Sequence, residues 1–116
     1  MGIEVEFHLE LALASIKRYR SKKANLEECV PDNLKPGEVY NFLRRGQGIY
    51  WMEDEIPLVE ISHNGELSKP LASITILEET HFRKNNQIYI RGKYKIVEVF
   101  TVNDNLIHFE GMRRSK

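Results

Sequence analysis

Cysteine is nearly missing from this chain of 116 residues, which carries one, Cys29. A single thiol excludes a disulfide framework and any structural zinc site built on cysteine pairs, and it suits a reducing, cytoplasmic setting. An excess of charge of one sign is missing too, because 17 Lys and Arg stand against 17 Asp and Glu. An electrostatic partner must then be selected by a local patch and not by the field of the whole molecule. No apolar run approaches the ~20 residues that span a bilayer, so no membrane partner is expected. Neither Gly nor Ser dominates any stretch, and 41% hydrophobic with 29% charged residues describes a folding chain. At ~100–200 residues per domain, residues 1–116 hold a single one. FHLELALAS ends in a small-residue pattern resembling a leader (Ala12, Leu13, Ala14). Glu4 and Glu6 nevertheless occupy the place of the required Lys or Arg, and Glu10 interrupts the apolar stretch; export is not expected.

What is present is period-2 patterning. Ile3, Val5, Phe7, Leu9, Leu11 and Leu13 alternate with Glu4, Glu6, His8, Glu10 and Ala12, the signature of a half-buried strand. Leu9, Leu13 and Ile16 also fit a helical stripe, so the strand is expected to hand over near Ala14 to a short helix ending by about Lys23. Residues 24–37 contain two prolines and a Pro-Gly and read as an irregular link, with one helical turn at 26–29. Short strands are expected at 38–43, 49–52, 58–62, 72–77, 87–91, 94–102 and 106–110. Their punctuation is the Asn64-Gly65 hairpin signal, Asn85-Asn86, Arg91-Gly92-Lys93 and Asn103-Asp104-Asn105. Turn signals roughly every 8–12 residues predict a mostly β (α+β) domain, a small mixed or antiparallel barrel with one short helix after the first strand.

The strongest chemical signal is basic. Lys17, Arg18, Arg20, Lys22 and Lys23 crowd one stretch around Tyr19. Guanidinium and ammonium groups attract phosphate, and a nearby ring stacks on an exposed base. The alternative is a solvated helix face answered by Glu4, Glu6 and Glu10. Tyr50 and Trp51 point to opposite faces of any strand, so one fills the core and the other offers a stacking ring.

Other candidates are weaker. Glu53-Asp54-Glu55 lacks the pattern of a calcium loop and reads as a turn. His8, His63, His81 and His108 show no metal-ligand spacing, although His81 and His108 could converge; neither a metal nor a cofactor is expected. Glu98, inside Ile96-Val97-Glu98-Val99-Phe100, is either an outward carboxylate or a desolvated acid–base group. Cys29 has acidic neighbours that raise a thiol pKa, and no Gly-x-Ser-x-Gly elbow exists. Arg44-Arg45-Gly46-Gln47-Gly48 lacks the phosphate-loop pattern and reads as a hairpin turn.

The order of first strand, basic helix, irregular link to Lys35-Pro36-Gly37-Glu38 and strands through YKIVEVF resembles the PUA-like superfamily, in its ASCH or EVE-type branch. That resemblance implies a small barrel with a cleft beside the helix. ASCH domains are similar to RNA-binding domains, and a few act as amidohydrolases on modified nucleosides. Their Gly-x-Lys-x-x-Glu-x-Arg motif, aligned on Lys23, meets Ser21, Leu26 and Glu28 here, and Glu27 matches only with one inserted residue. The leading expectation is a non-catalytic module binding RNA or a modified nucleotide through Lys17, Arg18, Arg20, Lys22 and Lys23, with Tyr19, Tyr50 or Trp51 stacking. Two alternatives remain: a small nucleoside-type amidohydrolase using Lys23 with Glu27 or Glu98, and a homodimerising or protein-interaction domain with an exposed strand edge or apolar patch.

Overall fold

A computed structural model describes residues 7–50, 52 and 54–100. The expectations for residues 3–6, Trp51, Glu53, residues 101–102 and 106–110, and His108 lie outside the described residues.

The elements run β1 (Phe7–His8), β2 (Leu11–Ala14), α1 (Ile16–Arg20), a 3-10 turn (Leu26–Glu28), β3 (Val39–Arg45), β4 (Ile49–Tyr50), β5 (Glu55–Ile61), β6 (Ala72–Lys84) and β7 (Gln87–Val99). The class is mostly β. One sheet has five strands in the order β2-β5-β6-β7-β3, and β1 pairs with β4 in a second, two-stranded parallel sheet. Strand β2 runs parallel to β5, with Leu11 opposite Leu58 and Leu13 opposite Glu60. The remaining ladders of the large sheet are antiparallel. Among the described residues this ladder stays open, with β2 and β3 as its ends.

Alternation builds the core. Along β7, Ile90, Gly92, Tyr94 and Ile96 are buried while Arg91, Lys93, Lys95 and Val97 are exposed. Ile74 and Ile76 on β6, Phe42 on β3, Leu58 on β5, and Leu11 and Leu13 on β2 belong to the same buried cluster. At ~1.5–3 kcal/mol for each large apolar side chain withdrawn from water, this layer supplies the main drive for folding.

Four expectations need correction. First, the opening strand is not continuous: the chain bends at Leu9 and Glu10, and Leu9, assigned to the inner side, is 72% exposed. Second, the helix is shorter than expected. Ser15 caps it, its side chain accepting from Lys17 N at 3.3 Å, and Lys22 ends it with a left-handed φ of 62°. Third, residues 72–84 form one strand. Fourth, Gly92 is not a break but the middle of a 13-residue strand. It lies opposite Phe42 on β3 and Glu79 on β6. A Cβ there would stand 2.8 Å from Phe42 Cε1 and closer still to the Glu78 carbonyl. Glycine is present because two backbones and a ring meet at that point. Beside it the β6–β7 register shifts between Ile76 and Glu78, a bulge that accommodates Leu77.

Two turn readings hold in altered form. Ser62 N donates to Glu66 O at 2.8 Å around the Asn64-Gly65 turn, yet the chain then loops and resumes as a strand only at Ala72. Asn85 and Asn86 close the β6–β7 hairpin with φ of 51° and 63°, the geometry of a type I′ turn.

Candidate functional site

The open side of the sheet places the chain's basic residues. Strands β2 and β3 do not pair; between them lies a cleft of about 300 Å³ lined by Ala12, Leu13 and Ala14 from β2 and by Leu43, Arg44 and Arg45 from β3. Arg18 and Lys23 close it from the helical side. Arg18, Lys23 and Arg44 thus line one concavity with the carboxylate of Glu28, while Arg45, next to the inward Arg44 on β3, borders it from the opposite face of the strand.

Local chain geometry explains how Lys23 joins Arg18. After Ser21 the helix terminates in a Schellman arrangement: Lys22 N donates to Tyr19 O at 3.0 Å and Lys23 N donates to Arg18 O at 2.8 Å. That second bond fixes the backbone of Lys23 against the backbone of Arg18, one turn earlier. A glycine normally takes the left-handed position; here Lys22 takes it.

The basic stretch is therefore divided. Arg18 and Lys23 line the cleft, and Lys17, Arg20 and Lys22 do not. Arg20 instead pairs with Asp32 across the link. Tyr19 is exposed. Tyr50 is 2% exposed, and its hydroxyl accepts from Arg44 Nη1 at 2.9 Å, so its ring belongs to the core and offers no face to a base. Burial raises the Tyr50 pKa, and Arg44 opposes the rise. Arg44 and Arg45 were missed as site residues because the Arg-Arg-Gly run reads as a turn. The available signal was that two adjacent strand residues point to opposite faces, so one of any such pair is carried inward.

Past Arg44 the cleft meets a second hollow of about 480 Å³, which shares Ala12, Arg44 and Ile61 with it. Phe7, His8, Leu9 and Leu67 form its apolar and aromatic wall, and the carboxylate of Glu10 also lines it. His8 stands with its ring centroid 5.0 Å from that of Tyr50, and its Nε2 donates to Gln47 O at 2.8 Å. Beneath, Tyr50 N donates to both carboxylate oxygens of Glu79 at 3.1 Å, and Glu79 also lies 3.0 Å from His81 Nε2. The joint between the two hollows is thereby held by a hydrogen-bonded chain.

A larger groove, about 680 Å³, lies between the 3-10 turn and β3 and shares Leu43 with the cleft. Glu27, Cys29, Asp32, Tyr40 and Arg91 are among its lining residues. The Tyr40 hydroxyl donates to Glu38 at 2.6 Å, and burial together with that carboxylate pushes its pKa up to about 12. Burial raises the Cys29 thiol as well, with a smaller contribution from Glu28, so the thiolate needed for nucleophilic attack is disfavoured.

The proposed catalytic set is not gathered in one place. Lys23 lines the cleft, Glu27 lines the separate groove, and the exposed Glu98 of β7 lines neither. Among the described residues no group of three or more His, Cys, Asp or Glu is placed to hold a metal ion. No helix among them is long and apolar enough to cross a membrane. No protein-family model, curated protein or solved structure matches the chain.

Proposed function

We propose that the chain is a non-catalytic binding module that holds a phosphate-bearing nucleotide, free or within RNA, in the cleft between β2 and β3. One observation carries this: Arg18, Lys23 and Arg44 line a single concavity whose one lining carboxylate is Glu28. Such an arrangement is electrostatically costly without a guest and favourable with an anionic one. The adjoining hollow, walled by Phe7, His8, Leu9 and Leu67, supplies an apolar place for a base or sugar beyond the phosphate. Arg44 stands where the two compartments meet. The sheet is read as a PUA-like barrel left unclosed at β2 and β3, the gap being the binding cleft. A cytoplasmic setting fits its lone, buried thiol.

Calorimetric titration with uridine monophosphate, with uridine as control, tests the reading. The monophosphate binds with an affinity that falls as salt rises, and uridine binds far more weakly. Equal affinities for the two, or an affinity indifferent to salt, would refute it.

A further inference from the structure

The outer face of β3, β7 and β6, on the other side of the sheet from the core, carries rings and cations at its β6–β7 side, while its Val39, Asn41, Leu43 and Arg91 also line the groove beside the 3-10 turn. The strand registers lay it out in rows. Arg45, Tyr89 and Phe82 form one row; Leu43, Arg91 and Thr80 the next; then Asn41, Lys93 and Glu78; then Val39, Lys95 and Thr75. Neighbours in a row are ~4.8 Å apart, and successive rows ~6.5–7 Å.

Two features of this face belong together. The rings of Phe82 and Tyr89 stack across the hairpin with centroids 5.2 Å apart and planes 13° apart. Arg91 lies over the Phe82 ring, its guanidinium carbon 5.2 Å from the centroid. The two rings form a stacked column, with the Arg91 guanidinium against Phe82. Among the described residues Phe82 is the ring neighbour of Tyr89, and on its other side the register places Arg45 of β3. Around the column stand Arg45, Arg91, Lys93 and Lys95, all exposed. Glu78 is the one carboxylate in these rows and pairs with Lys93 at 3.5 Å; Arg91 also lines the groove that holds Glu27 and Asp32.

We infer that this face is a binding platform for single-stranded nucleic acid. A base extends the column by inserting between Tyr89 and the exposed Arg45, and its backbone phosphates meet Arg91, Lys93 and Lys95 at alternate positions of β7. Bases are available for stacking only where they are unpaired, and every base has a flat face, so the platform selects single strands with little preference for sequence. Cations at alternate positions of β7 recur along the strand direction, so they track an extended backbone. This goes beyond the cleft reading, because it requires no ligand between β2 and β3. Arg45, which borders both places, is left unaltered in the test.

The experiment is fluorescence anisotropy of a labelled single-stranded oligouridylate with the full chain, at two salt concentrations. Tyr89→Leu and Phe82→Leu keep apolar bulk and remove the ring, and Tyr89→Phe keeps the ring. Circular dichroism confirms folding of each variant. The leucine variants weaken binding by about 5- to 150-fold, the loss of one stacked base, while Tyr89→Phe retains it. A duplex of the same length competes poorly. If the leucine variants bind as the parent does and Arg18→Glu with Lys23→Glu abolishes binding, the platform is overturned and the cleft reading stands. If the leucine variants lose the oligonucleotide and the cleft variant keeps it, the platform stands and the strand does not use the cleft. Effective competition by duplex, or no binding of the oligonucleotide at all, overturns the platform; uridine monophosphate still reports on the cleft independently.

Discussion

The cleft between β2 and β3 and the groove beside the 3-10 turn make an instructive pair. Both are bounded by β3 and by the link that follows α1, and the groove is the larger, about 680 Å³ against 300 Å³. Polar groups around the groove are occupied with one another: Tyr40 with Glu38 and Asn33, Asp32 with Arg20, and Asn25 N with Glu28 at 3.1 Å. In the cleft, Arg18, Lys23 and Arg44 stand against one lining carboxylate, Glu28. Volume alone favours the groove. Under the proposed function, the excess of cations over carboxylates favours the cleft.

Charge reversal is the sharpest way to break that contrast. Arg18→Glu combined with Lys23→Glu should remove nucleotide binding, since each charge-assisted hydrogen bond is worth about 1.5–3 kcal/mol. Glu27→Gln, in the groove, should leave affinity within about twofold. Calorimetry on both variants decides between the two sites.

Gly92→Ala strikes the frame common to both, because the added methyl meets Phe42 and the Glu78 carbonyl. Destabilisation of about 3 kcal/mol is expected, read from the midpoint of urea unfolding. An unchanged midpoint would mean that β6 and β7 separate more readily here than their register implies.

Tyrosine ionisation extends the comparison to the core. Tyr40 is pushed up to about 12, and burial also raises Tyr50 and Tyr94. The folded state thus holds these phenolic protons more tightly than the unfolded state, whose tyrosines titrate near 10. By linkage, stability is intact below about pH 10 and is lost as pH climbs toward the folded values. Tyrosinate absorbance should rise together with loss of circular dichroism above that pH, and an early, separate rise would count against it. Among the described residues the buried Tyr94 hydroxyl has no hydrogen-bond partner, so Tyr94→Phe should soften the alkaline transition without loss of stability at neutral pH.

The smallest effect is expected at Lys22. Its left-handed φ of 62° costs a non-glycine residue about 1 kcal/mol. Lys22→Gly should return roughly that amount and leave nucleotide affinity unchanged, placing Lys22 outside the site although it sits amid the basic stretch. Thermal unfolding and titration of the same variant check both halves.

Local signals in the sequence explain what was readable. Asn85-Asn86 and Asn64-Gly65 marked real turns, and the alternation through Tyr94 and Ile96 marked a real core strand. The 3-10 turn at Leu26–Glu28 fell where one helical turn was expected. Gly92 misled because the residue that ends strands in turns also allows two chains and a ring to meet inside a sheet. Which basic residues would cooperate was not readable. That depends on β2 and β3 becoming opposite ends of one sheet, and both are placed there by partners distant in sequence, Leu58 for Leu11 and Gly92 for Phe42.

The parallel pairing of β2 with β5 bears on the order of assembly. The β6–β7 hairpin closes over its own two-residue turn at little entropic cost, whereas Leu11 must find Leu58 across most of the intervening chain. A nascent molecule can own a finished ribbon before its first strand has docked, and at that moment it possesses no concavity between two edges. Under the proposed function, nucleotide capture would then report on maturation: only a chain that has joined β2 to β5 has anywhere to put the ligand, and occupancy in turn holds that pairing shut by mass action.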